Sequence, residues 1–278
     1  MINKQVKNME KTTRINMTII LVLFFLATNV DGLKVSVTGA ASGSSSSFNQ
    51  EFNLADDSSV DGKILIDGYS IHPDIRITEP SKKYKGLDYG EWNAEWWKWA
   101  FSMPIDKHPL FDTADASEGQ EGNVWFIGSG FIGGDVDRSI IIPSGTRLFI
   151  PLFNYEASTI EGNGEGAELI ANVESVMKDV KDLYAEIDGS SIVIDESFRA
   201  PSGLFEFGPL PDNNVLQFFG VDAPEGATSE AAADGYYMML NPLSPGDHKI
   251  KWSSNWGDVF TQNVEYSVHV EPKGRYLK

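Results

Sequence analysis

Glu91 and Glu95 stand four residues apart in the segment DYGEWNAEWWKWAFSMP, residues 88–104. Carboxylates at that spacing share one face of a helix, where they can divide acid and base work or hold a cation. Either chemistry needs a further group. His108 and Asp112 in the next loop are the nearest candidates for a third metal ligand, and Glu156 or Asp112 for a second acid. The competing reading is a solvated charged stripe, because Lys98 follows Glu95 by three residues and can neutralise it. Trp125 supplies a ring on which a sugar could stack and Arg138 a guanidinium for a carboxylate, so with Glu156 they form the candidate ligand-binding set. Asp135 and Asp137 in GGDVD are candidate calcium ligands, outside any EF-hand spacing. The four histidines, His72, His108, His248 and His269, are scattered without ligand spacing and read as surface residues. Neither Gly-x-Ser-x-Gly nor His-Glu-x-x-His occurs, and GSGFIGGD lacks the Gly-Lys-Ser/Thr of a phosphate loop. With no cysteine, thiol catalysis, cysteine metal sites and disulfides are excluded.

The first element that must position these groups is the tryptophan-rich segment itself. Asp88 followed by Glu91 fits a capping box, so a helix is expected to begin at Tyr89 and to be stopped by Pro104. At 100° per residue, Trp99, Trp92, Met103, Trp96, Tyr89 and Ala100 fall within an arc of roughly 100°. Trp97, Phe101 and Ala94 widen that arc past half the circumference, leaving Glu91, Glu95, Lys98 and Ser102 as a narrow polar stripe. So wide an apolar arc must be covered on two sides, which assigns the tryptophans to a core rather than to a stacking platform. Asn93 lies inside the arc and implies an internal hydrogen bond.

Around this helix the chain reads as short strands. NVWFIG, SIIIP, TRLFIPLFN, SSIVI, LFEF, NVLQFFGV, GYYMML, HKIKW and NVEYSVHV are separated by turn formers such as PSG at 143–145 and Pro245-Gly246. One further helix is expected over AELIANVESVMKDVKDLY, with Leu169, Val173, Val176, Met177, Val180, Leu183 and Tyr184 on one face. In the last segment Val264, Tyr266, Val268 and Val270 alternate with polar residues, so one strand face is buried and the other wet, with GDHKIKW as its partner. Many short strands with two helices specify a mainly β fold: an antiparallel β-sandwich, jelly-roll or immunoglobulin-like, over residues 87–272.

Residues 1–32 read as an export signal: Lys4, Lys7, Lys11 and Arg14 lead into the apolar run MTIILVLFFLA. The run falls short of the about 20 apolar residues that span a bilayer, and retention as an anchor is the alternative to cleavage. Residues 33–86 form a Ser/Gly-rich extension that turns alternating at VDGKILIDGYSI: a stalk, a plain linker, an edge strand added to the main sheet, or a strand added to a neighbour; 273–278 form a tail. The net charge is −18, and removing residues 1–32 takes away four basic against two acidic side chains. Such an acidic chain is a poor partner for nucleic acid or an anionic membrane surface.

Five blocks in order, YGEWNAEWWKWAFSMP…HPLFD, EGQEGNVWFIG, IIIPSGTRLFIPLFNYE, EIDG and PLSPGDHKIKW…VEYSVHV, span residues 87–271. Together they resemble an exported prokaryotic family of unknown function, defined by a Trp-rich segment, a Gly-Gln-x-Gly-x-Val-Trp-Phe block and a Pro-x-Gly…Phe-x-Pro block. The resemblance implies no activity and carries over no functional residue. It implies cysteines at places that here read Ala116-Ser117, Ser139-Ile140 and Ala157-Ser158, so the fold is expected to stand without the family's disulfide. The functional expectation is a secreted or cell-surface protein that binds a glycan, a cation or a surface protein. The alternative is an extracellular carbohydrate-active hydrolase or lyase using Glu91 and Glu95.

Overall fold

A computed structural model describes residues 64–66, 69–71, 77–111, 116–130 and 133–272. The export segment, nearly all of the extension, the tail, His72 and Asp112 lie outside them. Strands β1 (Ile64–Ile66) and β2 (Tyr69–Ile71) pair antiparallel, with Ile66 opposite Tyr69.

Helix α1 runs Tyr89–Phe101 and carries the expected capping box, with Asp88 accepting from the Glu91 amide and Glu91 reaching back to the Asp88 amide. Its nine apolar-arc residues are buried, Asn93 among them, while Glu91 and Ser102 are exposed and Glu95 and Lys98 half-buried. Gly90 lets the helix approach its neighbour: a Cβ there would lie 2.2 Å from the Pro201 carbonyl oxygen.

Strands β3 (Val124–Phe126), β4 (Gly134–Pro143) and β5 (Arg147–Ser158) follow. Pro143–Thr146 does not close a hairpin but carries the chain from one sheet to the other. Helix α2 (Ala167–Met177) then leads to β6 (Val180–Ile187), β7 (Ser190–Ile192), β8 (Leu204–Phe207), the short α3 (Val215–Phe218), β9 (Ser229–Leu240), β10 (Gly246–Trp256) and β11 (Phe260–Glu271). Two sheets result, a five-stranded one in the order β4-β11-β10-β6-β7 and a four-stranded one in the order β3-β5-β9-β8. They pack as a β-sandwich. Its pairing is antiparallel except at β4·β11 and β3·β5, which are parallel.

The four-stranded sheet is the middle layer. Leu148, Ile150, Leu152, Met238 and Leu240 pack towards the five-stranded sheet, where they meet Ile187, Ile250, Trp252, Val264, Tyr266, Val268 and Val270. Phe149, Tyr237, Met239, Ala231 and Ala233 pack the other way, against the tryptophans of α1 and the segment around Leu210, Val215 and Leu216. Strands covered on both faces read as near-continuous apolar runs, which explains LFIPLF and GYYMML.

Two expectations are corrected. The second helix stops at Met177, and the residues expected to prolong its face form β6 instead. Leu183, Ala185 and Ile187 also fit a period of two, and pairing of Ala185 with Trp252 and Ile187 with Ile250 decides for the strand. NVLQFFGV holds α3 rather than a strand. Asn214 caps it by accepting from the Gln217 amide, and its Nδ2 donates to the Pro211 and Ala223 carbonyls. A satisfied cap outweighs the β preference of a short apolar run.

Candidate functional site

A buried carboxyl pair lies where β5 runs out of the sheet. Glu156 stands opposite Ala233 of β9, on the face that carries Asn154 and Tyr237. The turn after β5 folds back on itself: the Ser158 carbonyl accepts from the amides of Glu161 and Asn163, at 3.3 and 3.2 Å. That turn brings half-buried Glu161 onto Glu156, and the two carboxyls share a hydrogen bond. Ser158 Oγ donates to Glu161 Oε2 at 2.5 Å. Burial pushes Glu156 well above the usual carboxylate range, and the charge of Glu161 pushes it further. Burial also raises Glu161, although its bonds to Ser158 and Glu156 oppose the rise. The hydroxyl of Tyr155 is held protonated by burial and by both glutamates. Two carboxyls in this contact hold one proton between them.

An open depression of about 420 Å³ borders the same turn, lined by Thr159, Ile160, Glu165, Thr228, Ser229 and Glu230. Its walls are fastened by bonds from the Ile160 amide to Ser229 Oγ and from the Gly166 amide to Glu230 Oε2. Glu161 and Ser158 went unread in the sequence. The signal for them was EGNGEG, in which Glu161, Asn163 and Glu165 alternate with glycines.

The other candidates are placed apart. Glu91 is taken by the cap and by Lys83, 3.0 Å away; Glu95 pairs with Lys98 at 2.9 Å. Neither lines the depression. Trp125 is half-buried and packs against the inter-sheet core, so it presents no open platform. Arg138 Nη1 donates to the Pro109 carbonyl and the Tyr266 hydroxyl, which ties β4 and β11 to the loop after α1. Asp135 is exposed and accepts from Asn263, while Asp137 lies opposite Glu265. Among the described residues no three His, Cys, Asp or Glu side chains stand together as a ready metal centre.

Two histidines also depart from the surface reading. His108 is fully buried, and burial pulls it down to about 3, so it stays neutral. His248 lies between Asp188 Oδ2 at 2.7 Å and the Ser244 carbonyl at 2.8 Å, with Ser244 Oγ at 3.4 Å. These residue types could form a catalytic triad. Nε2, however, faces a carbonyl that needs its proton, so it is not free to take one from the serine. The arrangement pins two turns together.

Glu156→Gln removes the proton that the pair must give up. A carboxyl raised on folding contributes stability that is complete below its unfolded value, about 4.3, and is lost as pH rises through the folded value. Glu156→Gln is therefore expected to match the parent near pH 4. It should gain on the parent above that, by up to about 1.4 kcal/mol per pH unit. Paired urea titrations from pH 4 to 8 measure this, and a constant difference would contradict it.

No family profile and no curated protein matches the chain. Among solved structures it is similar to PbICP-C in complex with falcipain-2, at 9% identity and a TM-score of 0.23, covering 54% of this chain and 100% of that one. It is also similar to the cysteine protease inhibitor EhICP2 from Entamoeba histolytica, at 12% identity and a TM-score of 0.19, covering 49% and 94%. Amebosin follows at 11% identity and a TM-score of 0.17, covering 50% and 100%.

Proposed function

We propose that the protein is a secreted or cell-surface β-sandwich whose role is recognition, and that the outer face of its five-stranded sheet meets another surface protein. One observation carries this reading. The four-stranded sheet is covered on both faces, whereas the outer face of the five-stranded sheet has no covering layer among the described residues.

That face is a grid of alternating charge. Lys251 lies directly between Glu186 of β6 and Glu265 of β11, and Glu265 lies beside Asp137 of β4. Lys249 bonds Glu265, and His269 bonds Asp247 at 2.5 Å. Tyr184, 39% exposed, and Ile141 stand among these pairs as apolar contacts. Such a grid suits a partner of complementary pattern, which sets register and encounter rate more than raw affinity. A glycan would call for several open rings, and Tyr184 is the aromatic among the exposed large side chains described. The basic lead and apolar run before residue 32 support export.

The test is adsorption of the full chain to cell-envelope preparations, with Lys249→Glu/Lys251→Glu and Tyr184→Ala as variants and a glycan array in parallel. The double charge reversal is expected to weaken adsorption by about tenfold or more and to change its salt dependence. Adsorption that ignores these substitutions, or glycan binding that survives them, overturns the reading. The hydrolase or lyase alternative predicts polysaccharide cleavage that disappears in Glu91→Gln and Glu95→Gln.

A further inference from the structure

We propose that β4 is a dimerisation edge: in solution its second half, residues 139–143, pairs antiparallel with the same stretch of a second copy, about a two-fold axis at Ile141. The contact uses the edge of the five-stranded sheet rather than its outer face, so it stands whether or not that face meets a surface protein.

The two sheets end in four edge strands, and three of these are short. β3 and β7 run for three residues each and β8 for four. Strands so brief offer little backbone to another chain, which is a common way of blunting an edge. β4 is different. It runs for ten residues, with β11 on one side and no strand on the other among the described residues. Its register with β11 is unbroken from Gly134 to Pro143, without a bulge that would twist the edge away. It holds no lysine, and its proline comes at the last position. A long, regular edge of this kind is a template for another strand.

The two halves of β4 are unlike. Asp135, Asp137 and Arg138 charge the first half, and Arg138 is anchored on the Pro109 carbonyl and the Tyr266 hydroxyl. An inward-pointing charge of that sort protects an edge. From residue 139 to 143 the strand reads SIIIP and carries no charge. Ile140 and Ile142 are buried in the sandwich, while Ile141, opposite His269 of β11, is 60% exposed. The half left open is the apolar one.

Charge selects both the second copy and its orientation. The chain carries a net charge of −18, so two copies repel unless they meet on a neutral stretch, and SIIIP is one. Antiparallel pairing about Ile141 sets Ile141 against Ile141, Ile140 against Ile142 and Ser139 against Pro143, with no like charges opposed. The acids of the two copies then lie at opposite ends. At about 3.3 Å per residue the two Asp137 side chains stand roughly 26 Å apart, well past the screening length of about 8 Å. A parallel, in-register pairing would instead set Asp135 on Asp135 and Asp137 on Asp137. Two-fold contacts of this self-matching kind are the commonest in soluble oligomers. The result is one sheet running through both sandwiches, with both outer faces on the same side.

Because the chain has no cysteine, the register can be read directly. Opposed residues of an antiparallel pair have Cα atoms about 4.5–5.5 Å apart, within the about 4.4–6.8 Å that a disulfide spans. Ile141→Cys in the full chain is therefore expected to form a covalent dimer on mild oxidation, whereas Asp135→Cys and Val193→Cys are not. Sedimentation velocity of the parent over a range of concentrations should show monomer–dimer exchange. Ile141→Asp should raise the dissociation constant by about tenfold or more, and Leu204→Asp, on the edge strand β8, should leave it unchanged. Should Ile141→Asp fail to fold, the cysteine variants still decide. A monomeric parent overturns the proposal. So does a dimer that survives Ile141→Asp, or crosslinking at residue 135 or 193 in place of 141.

Discussion

Trp96→Ala is expected to lower the unfolding free energy by about 3–5 kcal/mol, the range for removing a large aromatic from a packed core. Trp96 has 0% exposure and sits edge-on to two neighbours, with centroids 5.0 Å from Trp97 and 5.8 Å from Trp99. Its indole N–H donates to the Ile127 carbonyl at 2.9 Å. Truncation therefore opens a cavity between α1 and the middle sheet and also leaves that carbonyl without its donor. Relaxation is limited because Gly90 already sets the helix backbone against Pro201. Urea unfolding of the variant checks this, with Glu95→Ala, half-buried and paired only with Lys98, as a control expected within about 0.5 kcal/mol of the parent. A loss below about 1.5 kcal/mol for Trp96→Ala would mean that the helix is peripheral to stability.

Arg199→Ala should approach the same size for a different reason. Asp234 has 0% exposure in the middle of β9, and Arg199 grips it through Nε at 3.0 Å and Nη2 at 2.6 Å. With the guanidinium gone, the carboxylate keeps the Gly235 amide, 2.8 Å away, in a layer covered on both faces. Removing one partner of a buried pair costs about 3–5 kcal/mol; Arg199 is 31% exposed, which places the expectation near the lower figure. Replacing both members by apolar residues, Arg199→Met with Asp234→Leu, should recover most of the loss. Thermal and urea unfolding of the single and double variants decide it. A double variant no better than Arg199→Ala would show that packing around residue 199, rather than the stranded charge, sets the cost.

Much of the scaffold was legible because its signals were local. The cap at Asp88, the stop at Pro104 and the width of the apolar arc placed α1 and its buried face from residue types alone. The alternation of Val264, Tyr266, Val268 and Val270 likewise gave β11 its inward face. Failures came where two periods fit one run, as in VKDLYAEI, and only a neighbour could choose between them. They came also where polar capping overrode an apolar string, as at Asn214. The carboxyl pair was half visible: Glu156 could be singled out by type, but Glu161 reaches it only because the turn after Ser158 doubles back. Arg138 carried no hint that its partners would include a carbonyl and a tyrosine hydroxyl.

The place of β11 has a kinetic consequence. It lies between β4 and β10, in parallel register with β4 from Gly134 opposite Gln262 to Pro143 opposite Glu271. The interior strand of the larger sheet is thus the latest of its members to leave the ribosome. Until it arrives, β4 has no partner, and the loop that must close to seat it is longer than a hundred residues. Closure over such a separation is paid in chain entropy before any contact returns it, and this slows folding towards the millisecond-to-second range of about all non-local β topologies. Until Phe260–Glu271 has been made, the nascent chain therefore cannot complete the five-stranded sheet, although every strand of the other sheet has already been synthesised.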